Sequence, residues 1–271
     1  ILQLWVIFLD CKTPFLKNHF EKRARHLLVF LLTQTNYRPI TEQIEHNYPC
    51  YSIYYYDCSL NELTVRLNEE RRSGHAALSI ENGKKALICF GWSGREIHKT
   101  CEIFDGSTTV STFSADSTHR DGGLGLYKNQ PTSVGCVDEK HQKAETLSAT
   151  GWTALPDHPK RISIHSLVGL ENQSMLLIGG RDYGNDGAFQ SGIWQLKDEN
   201  WNKIGELLQA DYSGSAIYIG RSIYYFGYYS KAIQRLDFTE TEELQNVAQI
   251  GNQPGNFVYP VLFQTVSNYC I

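Results

Sequence analysis

The sequence contains few of the features expected of a helical, nucleic-acid-binding or membrane-spanning protein. A single Met stands against 16 Tyr, 12 Phe and 5 Trp, a balance that favours strands, in which aromatic residues are enriched. The net charge of -4 gives no basic stripe for a phosphate backbone, so we predict no nucleic-acid partner. The apolar run "ILQLWVIFL" at residues 1–9 is too short to cross a bilayer, so we predict no membrane span.

The seven cysteines are too few and too irregular for a disulfide scaffold, and no pair has zinc-ligand spacing. Cys89, Cys101 and Cys136 lie in apolar, strand-like runs. One interpretation is that all three are small buried hydrophobic residues. The other is a cross-strand Cys89–Cys101 bridge in a secreted protein, and the sequence leaves this choice open.

Motifs of common enzymes are also lacking. "GLENQSM" is not a GxSxG nucleophile elbow, and "DGGLG" at 121–125 is not followed by a helical pattern, so it is a weak dinucleotide signal. The nine histidines form no HxH or HxxxH pair, although His75, His119 and His165 fall at similar places along the chain. We interpret these three as hydrogen-bonded or solvent-facing groups rather than metal ligands. The sequence therefore predicts a non-enzyme without cofactor or metal.

The first 49 residues differ from the rest of the chain. A basic cluster at 22–25 precedes an apolar stretch at 27–32, which resembles a short secretory signal but lies well inside the sequence. With no initiating Met, we expect either a fragment or an uncertain gene model. We assign 1–49 to a poorly defined N-terminal segment and 50–271 to one domain, and we favour the cytoplasm over the secreted alternative. "NQS" at Asn172 is a possible glycosylation acceptor.

Four apolar runs in this domain end on a glycine at a regular spacing. The runs are "ALICFGW", "PTSVGC", "MLLIGG" and "IYYFGY", and their glycines are 44, 44 and 48 residues apart. Such a period indicates a repeat protein. The glycines in order are Gly91, Gly135, Gly179 and Gly227.

Each repeat reads as four short strands. A hairpin precedes the glycine, as in "HAALSIENGKKALICFG", where Asn82 and Gly83 suit a tight turn. A polar loop and a third strand ending in Asp follow, as in "EIFD" and "IQRLD", and then a fourth strand such as "WTALP". Four strands in 41 to 50 residues are typical of a β-propeller blade, so we predict an all-β propeller of four-stranded antiparallel blades. We expect each glycine where the backbone turns tightly against the next blade.

The best-preserved unit resembles the kelch repeat. A glycine doublet is followed by an aromatic residue and by a tryptophan after six further residues, here Gly179, Gly180, Trp194 and Trp201, with Trp194 where the family prefers Tyr. The other units match less well: the second glycine is replaced by Trp92, Cys136 and Tyr228, and the later tryptophan recurs only at Trp152. The resemblance covers about residues 50 to 271.

The ends of the domain suggest how the ring closes. Residues 53–67 read as a third and fourth strand, and residues 257–271 as a first and second strand, so together they would complete one blade. With units that begin near Arg72, Arg120, Arg161 and Tyr212, this predicts about five blades, either a closed ring or part of a larger one.

The kelch resemblance also implies a binding face. Kelch-type propellers bind partners through loops at one end, and the positions that match those loops here are Arg72, Arg95, Arg120, Arg161, Arg181 and Tyr183. Arginines bind carboxylates in bidentate fashion, so a protein partner with an acidic peptide would suit them. The leading hypothesis is a non-enzymatic scaffold or recognition module. The alternative is a secreted glycan-binding or galactose-oxidase-like propeller, which the tyrosines of "YYFGYY" favour.

Overall fold

The computed structural model describes residues 3–7, 52–56 and 60–265, and every regular element in these ranges is a β-strand. Side chains are described from residue 65 to 260 and at Leu262. No helix in these ranges is long and apolar enough to cross a membrane. The signal-like stretch at 22–32 lies outside the described residues.

The strands fall into four large sheets flanked by shorter pairs. The first three strands are β1 (Gln3–Ile7), β2 (Ser52–Tyr56) and β3 (Leu60–Arg66). Sheet 1 contains β4 (Ser73–Ile80), β5 (Lys85–Trp92), β6 (Cys101–Phe104) and β7 (Thr109–Ser111). Sheet 2 contains β8 (Gly125–Tyr127), β9 (Gln130–Val134), β10 (Ala144–Ser148) and β11 (Gly151–Leu155). Sheet 3 contains β12 (Ile162–Ser163), β13 (Ser166–Gly169), β14 (Met175–Ile178), β15 (Arg181–Asp182), β16 (Ala188–Lys197) and β17 (Asn200–Asp211). Sheet 4 contains β18 (Ser215–Ile219), β19 (Ser222–Phe226), β20 (Ala232–Phe238) and β21 (Leu244–Asn252), and β22 (Val261–Thr265) follows it.

Each large sheet contains four neighbouring antiparallel strands, as predicted for a propeller blade, and in sheets 1, 2 and 4 these strands are consecutive in the chain. In sheet 3 the four are β13, β14, β16 and β17, and the short β12–β15 pair is attached through β15 to β16. The all-β propeller is therefore confirmed. Within the described residues the complete blades number four, one fewer than the five predicted.

The predicted closing blade is not formed within the described residues, because the strands at the two ends of the domain lie in separate two-stranded sheets, β1–β22 and β2–β3. β2 and β3 pair as an antiparallel hairpin, as expected for the strands at 53–67. β22 pairs with β1, a strand that we had not predicted, and the predicted second strand after residue 265 lies outside the described residues. β22 also contacts β18, the first strand of sheet 4.

Three apolar cores hold neighbouring sheets together. Leu87 of sheet 1 packs with Leu124 and Trp152 near and within sheet 2, and Tyr127 of sheet 2 packs with Met175 and Leu177 of sheet 3. A third core joins sheets 3 and 4. All of β14 is buried, as are six consecutive residues of β5. The uninterrupted apolar runs follow from this arrangement, because a second strand between two blades is covered on both faces.

The repeat glycines are required for two different reasons. Gly91, Gly135 and Gly179 have φ of +95°, +69° and +67°, the left-handed region that favours glycine. A Cβ on Gly135 would lie 1.7 Å from the Ile162 carbonyl oxygen in the next sheet, as predicted. The expectation is wrong for Gly91, whose nearest atoms belong to its own sheet, because the turn there folds back on β4. Gly227 has no positive φ, and a Cβ there would meet the carboxylate of Asp211.

A buried side-chain acceptor on the third strand receives the chain as it crosses from the preceding sheet. Glu102, Glu145 and Gln234 occupy this position in sheets 1, 2 and 4, and all are almost fully buried. Each accepts two successive backbone N–H groups, from Asn68 and Glu69, from Asp116 and Ser117, and from Leu208 and Gln209, at 2.6 to 3.3 Å. These bonds satisfy donors that the crossing chain would otherwise bury unpaired.

The structure settles the cysteine alternatives left open by the sequence. Cys89 and Cys101, which face each other on β5 and β6, form a disulfide. Cys136 is a buried free thiol whose sulfur lies 3.3 Å from the Thr118 hydroxyl, as the small-hydrophobe interpretation would have it.

Reduction of the disulfide is expected to destabilise the protein. The bond joins residues 12 apart in sequence, and in the chain-entropy model closing a loop of this size stabilises the folded state by roughly 3 kcal/mol. Urea unfolding with and without dithiothreitol measures the loss. A Cys89→Ala, Cys101→Ala variant is the control, because it should no longer respond to the reductant. An equal stability of the wild-type protein in both conditions would contradict the bond.

Candidate functional site

The candidate site lies at the end of the sheets where the first strands begin, which we call the upper end. Five residues, Gly74, Asp121, Ile164, Ser213 and Tyr259, follow one another here at spacings of 47, 43, 49 and 46. All five have left-handed φ, between +47° and +67°. The amide of each of the last four donates to the carbonyl of the one before, at 2.8 to 2.9 Å. We call this series of bonds the upper ladder.

The residues of the upper ladder have strained backbone conformations. A β-branched residue with positive φ is rare, and Ile164 has φ of +60°. Such strain is of order 1–3 kcal/mol per residue and collects at functional sites, where surrounding bonds maintain it. Tyr259 is the fifth residue of the upper ladder and lies immediately before β22. The start of β22 therefore corresponds in position to the start of the first strand in each of the four sheets.

A cavity of about 350 Å³, the upper cavity, opens inside the ladder. Its lining includes apolar residues such as Leu124 and Leu167. Four titratable side chains line it as well, and we call them the polar wall: His75, Asp121, His165 and Tyr259. A second cavity of similar volume lies towards the other end of the sheets. Its lining residues include Leu78, Leu126 and Tyr218.

The two histidines of the polar wall have no hydrogen-bond partner. Both ring nitrogens of His75 and of His165 are buried and unpaired within the described part of the chain. Burial lowers the pKa of His75 to about 4 and that of His165 to about 3, so both rings are neutral at pH 7. The carbonyls of Gly122 and Ser163 lie near the His165 ring and favour its protonated form, but neither completes a hydrogen bond.

Asp121 and Tyr259 complete the polar wall. Burial raises the pKa of Asp121 to about 6, against the opposing attraction of Arg120. Burial also raises the pKa of Tyr259 well above its ordinary value, with a further contribution from Asp121. The Ser213 side chain lies near the buried hydroxyl and opposes the shift, but it completes no hydrogen bond of normal geometry. At neutral pH the wall therefore offers two neutral imidazoles, a phenol and one carboxylate.

His119 belongs to a different environment from His75 and His165, although the sequence grouped the three. Its nitrogens lie 2.9 Å from the Glu145 carboxylate and 3.0 Å from the Gly135 carbonyl oxygen, so both are satisfied. The prediction of hydrogen-bonded histidines is thus confirmed for His119 and wrong for the other two. Across the described residues no group of three or more His, Cys, Asp or Glu is arranged to hold a metal ion.

The predicted loop residues lie at the upper end of the sheets. They differ in whether their side chains are already paired with other groups of the protein. Arg72 pairs with Glu70 at 2.5 Å, and its amide bonds to the Trp92 carbonyl across the sheet. Arg120 pairs with Asp138 at 2.9 Å and lies over the Trp92 ring. These two arginines are engaged within the protein.

Arg95 and Arg161 are exposed and form no ion pair in the described ranges. Arg161 lies beside Tyr183, because its carbonyl accepts the Tyr183 amide at 2.7 Å. Lys140 lies over the Tyr183 ring, with its nitrogen 5.4 Å from the ring centre.

Arg181 is held by aromatic rings. Its guanidinium lies 4.9 Å from the ring centre of Phe189 and 4.4 Å from that of Tyr212, and no acidic group in the described residues is within ion-pair distance. Tyr229 packs on both rings and is 58% exposed. We call Arg161, Arg181, Tyr183, Phe189, Tyr212 and Tyr229 the basic aromatic patch.

A buried aspartate positions one side of this patch. Asp211 is fully buried and accepts the amides of Tyr212, Tyr229 and Ser230 at 2.7 to 2.8 Å, as well as the Ser230 hydroxyl. It therefore fixes the loop after Gly227 against the end of β17. The neighbouring Asp182 adds little negative charge to the surface, because it is mostly buried and pairs with Lys160 at 3.1 Å.

Comparison with known proteins supports the fold and nothing finer. No protein-family model matches the chain, and no curated protein matches it. The solved structure of YjhT is similar, with a TM-score of 0.53 and 13% sequence identity over 79% of this chain and 75% of that one. At this identity the likeness concerns the propeller fold alone.

Proposed function

We propose that the protein is a kelch-type propeller that binds a protein partner through an acidic peptide at the basic aromatic patch. The observation that carries the proposal is the Arg181 guanidinium, stacked on Phe189 and Tyr212 with no acidic partner in the described residues. Stacking fixes the plane of the guanidinium. Its Nε is buried without a partner, so the two terminal NH₂ groups are the ones left for a carboxylate. Arg161 supplies an exposed cation in the same patch, where its carbonyl accepts the Tyr183 amide.

Ion pairing divides the predicted arginines into two groups. Arg72 and Arg120 are already neutralised by acidic neighbours, so we assign them to the support of the loops. Arg161 and Arg181 are the proposed peptide contacts, with Tyr183 and Tyr229 as apolar surface around them. Aromatic and arginine side chains of this kind dominate binding energy at protein interfaces.

Peptide arrays graded in Asp and Glu content test this proposal. We expect acidic peptides to bind, and an Arg161→Ala, Arg181→Ala variant to bind them at least tenfold more weakly, because two charge-assisted contacts are lost. Arg221→Ala is the matched control, since that arginine is 57% exposed on a hairpin turn away from the patch. Binding that ignores peptide charge, or that falls equally in the control, would refute the proposal.

Glycan binding is the second candidate function, and the exposed ring of Tyr229 next to Tyr212 and Phe189 favours it. A sugar would stack on these rings without needing the arginine charges. Tyr229→Ala would then reduce binding to a glycan array, while Arg161→Ala would leave it unchanged. The opposite pattern assigns the patch to acidic peptides.

A further inference from the structure

The turn between β13 and β14, which we call the acceptor turn, carries a triplet that accepts N-linked glycans. Asn172, Gln173 and Ser174 form the one Asn-x-Ser/Thr triplet of the sequence. In such a triplet the side-chain nitrogen of the asparagine receives the sugar. Asn172 and Gln173 are exposed, whereas Ser174 is buried immediately before β14. The folded protein therefore displays the acceptor residue to solvent.

The side chain of Asn172 is held through its oxygen and not through its nitrogen. Its Oδ1 accepts the Ser174 amide at 2.9 Å and the Ser174 hydroxyl at 2.6 Å. Since a backbone amide can only donate, the atom bonded to it is the oxygen. The Nδ2 atoms of Asn68 and Asn200 donate to backbone carbonyls, but Nδ2 of Asn172 donates to none of the described residues. A sugar on this nitrogen would break no hydrogen bond of the fold.

Sheet 4 fixes the backbone of the acceptor turn. The amides of Glu171 and Asn172 donate to the two carboxylate oxygens of Glu242, at 2.8 and 2.5 Å. Glu242 is buried and also accepts the Tyr218 hydroxyl at 3.0 Å. These bonds use main-chain groups of the turn, so they place no demand on the Asn172 nitrogen.

The disulfide indicates the compartment in which such a modification takes place. Cys89 and Cys101 are fully buried in the apolar core that joins sheets 1 and 2. Disulfides persist in oxidising compartments, whereas those of cytosolic proteins are usually transient and either catalytic or redox-sensing. A bond enclosed in a core meets no substrate or redox partner, so we assign it a structural role. It favours the secreted alternative over the cytoplasm.

We propose that Asn172 is N-glycosylated while the protein passes through an oxidising secretory compartment. The donor is an oligosaccharide joined through a diphosphate to a lipid. Nδ2 of Asn172 forms a bond to C1 of the first sugar and loses one proton, while the bond from C1 to the diphosphate breaks and the lipid diphosphate leaves. The transfer consumes no oxidant or reductant. The proposal is independent of the function proposed for the basic aromatic patch.

The glycan would lie at the end of sheet 3 opposite the patch. β13 runs from the upper ladder to the acceptor turn, and β14 runs back towards the loop that carries Arg181. Asn172 and Arg181 therefore lie at opposite ends of the same hairpin. We expect enzymatic removal of the glycan to leave acidic-peptide binding unchanged, so either proposal can fail without the other.

Peptide mapping of the protein purified from its own cells tests the proposal. Trypsin cleaves after Arg161 and Arg181 and releases residues 162–181 as one peptide that contains Asn172. We expect this peptide only after treatment with peptide N-glycosidase, with a heavy-oxygen label at position 172 when the treatment is done in heavy-oxygen water. Recovery of the peptide mainly with an unmodified asparagine overturns the proposal. Recovery of Cys89 and Cys101 as free thiols from the unreduced protein also overturns it.

Variants of the whole chain, secreted from insect cells behind an added leader, test the acceptor residue. Asn172→Asp keeps an oxygen for the Ser174 bonds but removes the nitrogen, so its mass should no longer respond to peptide N-glycosidase. Asn129→Asp is the matched control and should still respond. Asn129 is exposed in the β8–β9 turn and is also followed by glutamine, but its third residue is Pro131. A wild-type protein that does not respond to the enzyme, or an Asn172→Asp protein that does, contradicts the assignment.

Discussion

Replacement of Gly135 by alanine is expected to abolish stable folding, with a loss above roughly 4 kcal/mol. The new Cβ would lie 1.7 Å from the Ile162 carbonyl oxygen and 2.9 Å from its carbon, in a backbone conformation with φ of +69° that disfavours any side chain. The obstacle is backbone rather than a mobile side chain, so relief requires sheets 2 and 3 to separate. Their shared core, which includes Val134 and Ile162, would open as a result.

Alanine variants of two other glycines distinguish the effect of the steric clash from the effect of the positive φ. Gly220→Ala has φ of +55° but nothing within 4 Å of the new atom, so it should be destabilising by only about 1–2 kcal/mol. Gly251→Ala has open space and no positive φ, and it should stay within about 0.5 kcal/mol of the wild type. Urea denaturation of the three variants measures the order. A Gly135→Ala protein as stable as Gly220→Ala would show that the sheets are not in contact at Ile162.

Acidification from pH 7.5 to pH 5 is expected to lower the free energy of unfolding by about 5 kcal/mol. Burial lowers the pKa of His75 and His158 to about 4 and that of His165 to about 3, whereas unfolded histidine titrates near 6.5. Below pH 6.5 the unfolded chain therefore binds protons that the folded protein excludes. Stability is lost as the pH falls from 6.5 towards 4, by about 2 kcal/mol per histidine at pH 5.

Asp121 opposes this trend. Its pKa is raised to about 6, so the folded protein binds its proton before the unfolded chain does, which contributes roughly 1 kcal/mol of stability at pH 5. Urea unfolding midpoints at pH 7.5 and pH 5 test the net change in the free energy of unfolding. His165→Phe should reduce the difference by about 2 kcal/mol, because one of the three excluded protons is removed. An unchanged midpoint at pH 5 would mean that these rings are accessible to protons in the folded state.

The elements that the sequence predicted are those with local causes. Asn82 and Gly83 lie at the centre of the β4–β5 turn with φ of +54° and +80°, and Gly220 and Arg221 form the two-residue turn between β18 and β19. Such turns depend on residues next to each other in the chain. The disulfide could be proposed but not decided, because whether Cys89 and Cys101 are in register depends on the turn between their strands.

The candidate site depended more on contacts between sheets. The resemblance pointed to Arg181 and Tyr183, but it gave no sign of the stacking of Arg181 on Phe189 of β16 and on Tyr212, which follows β17. Asp121 and Tyr259 were missed as wall residues. Asp121 and Tyr259 could have been found only from the spacing of the five ladder residues. The residue types do not reveal this series, because Ile164 is among the types least suited to a left-handed backbone.

The buried acceptors on the third strands explain how the units have diverged so far. Glu102, Glu145 and Gln234 each capture backbone amides, and every residue except proline carries such a donor. The attachment of the incoming segment to a sheet thus depends on a single side chain of that sheet. It does not depend on the residue types of the incoming segment. Mutations can accumulate in the incoming segment without loosening the attachment, so copies with little remaining identity still assemble in the same order.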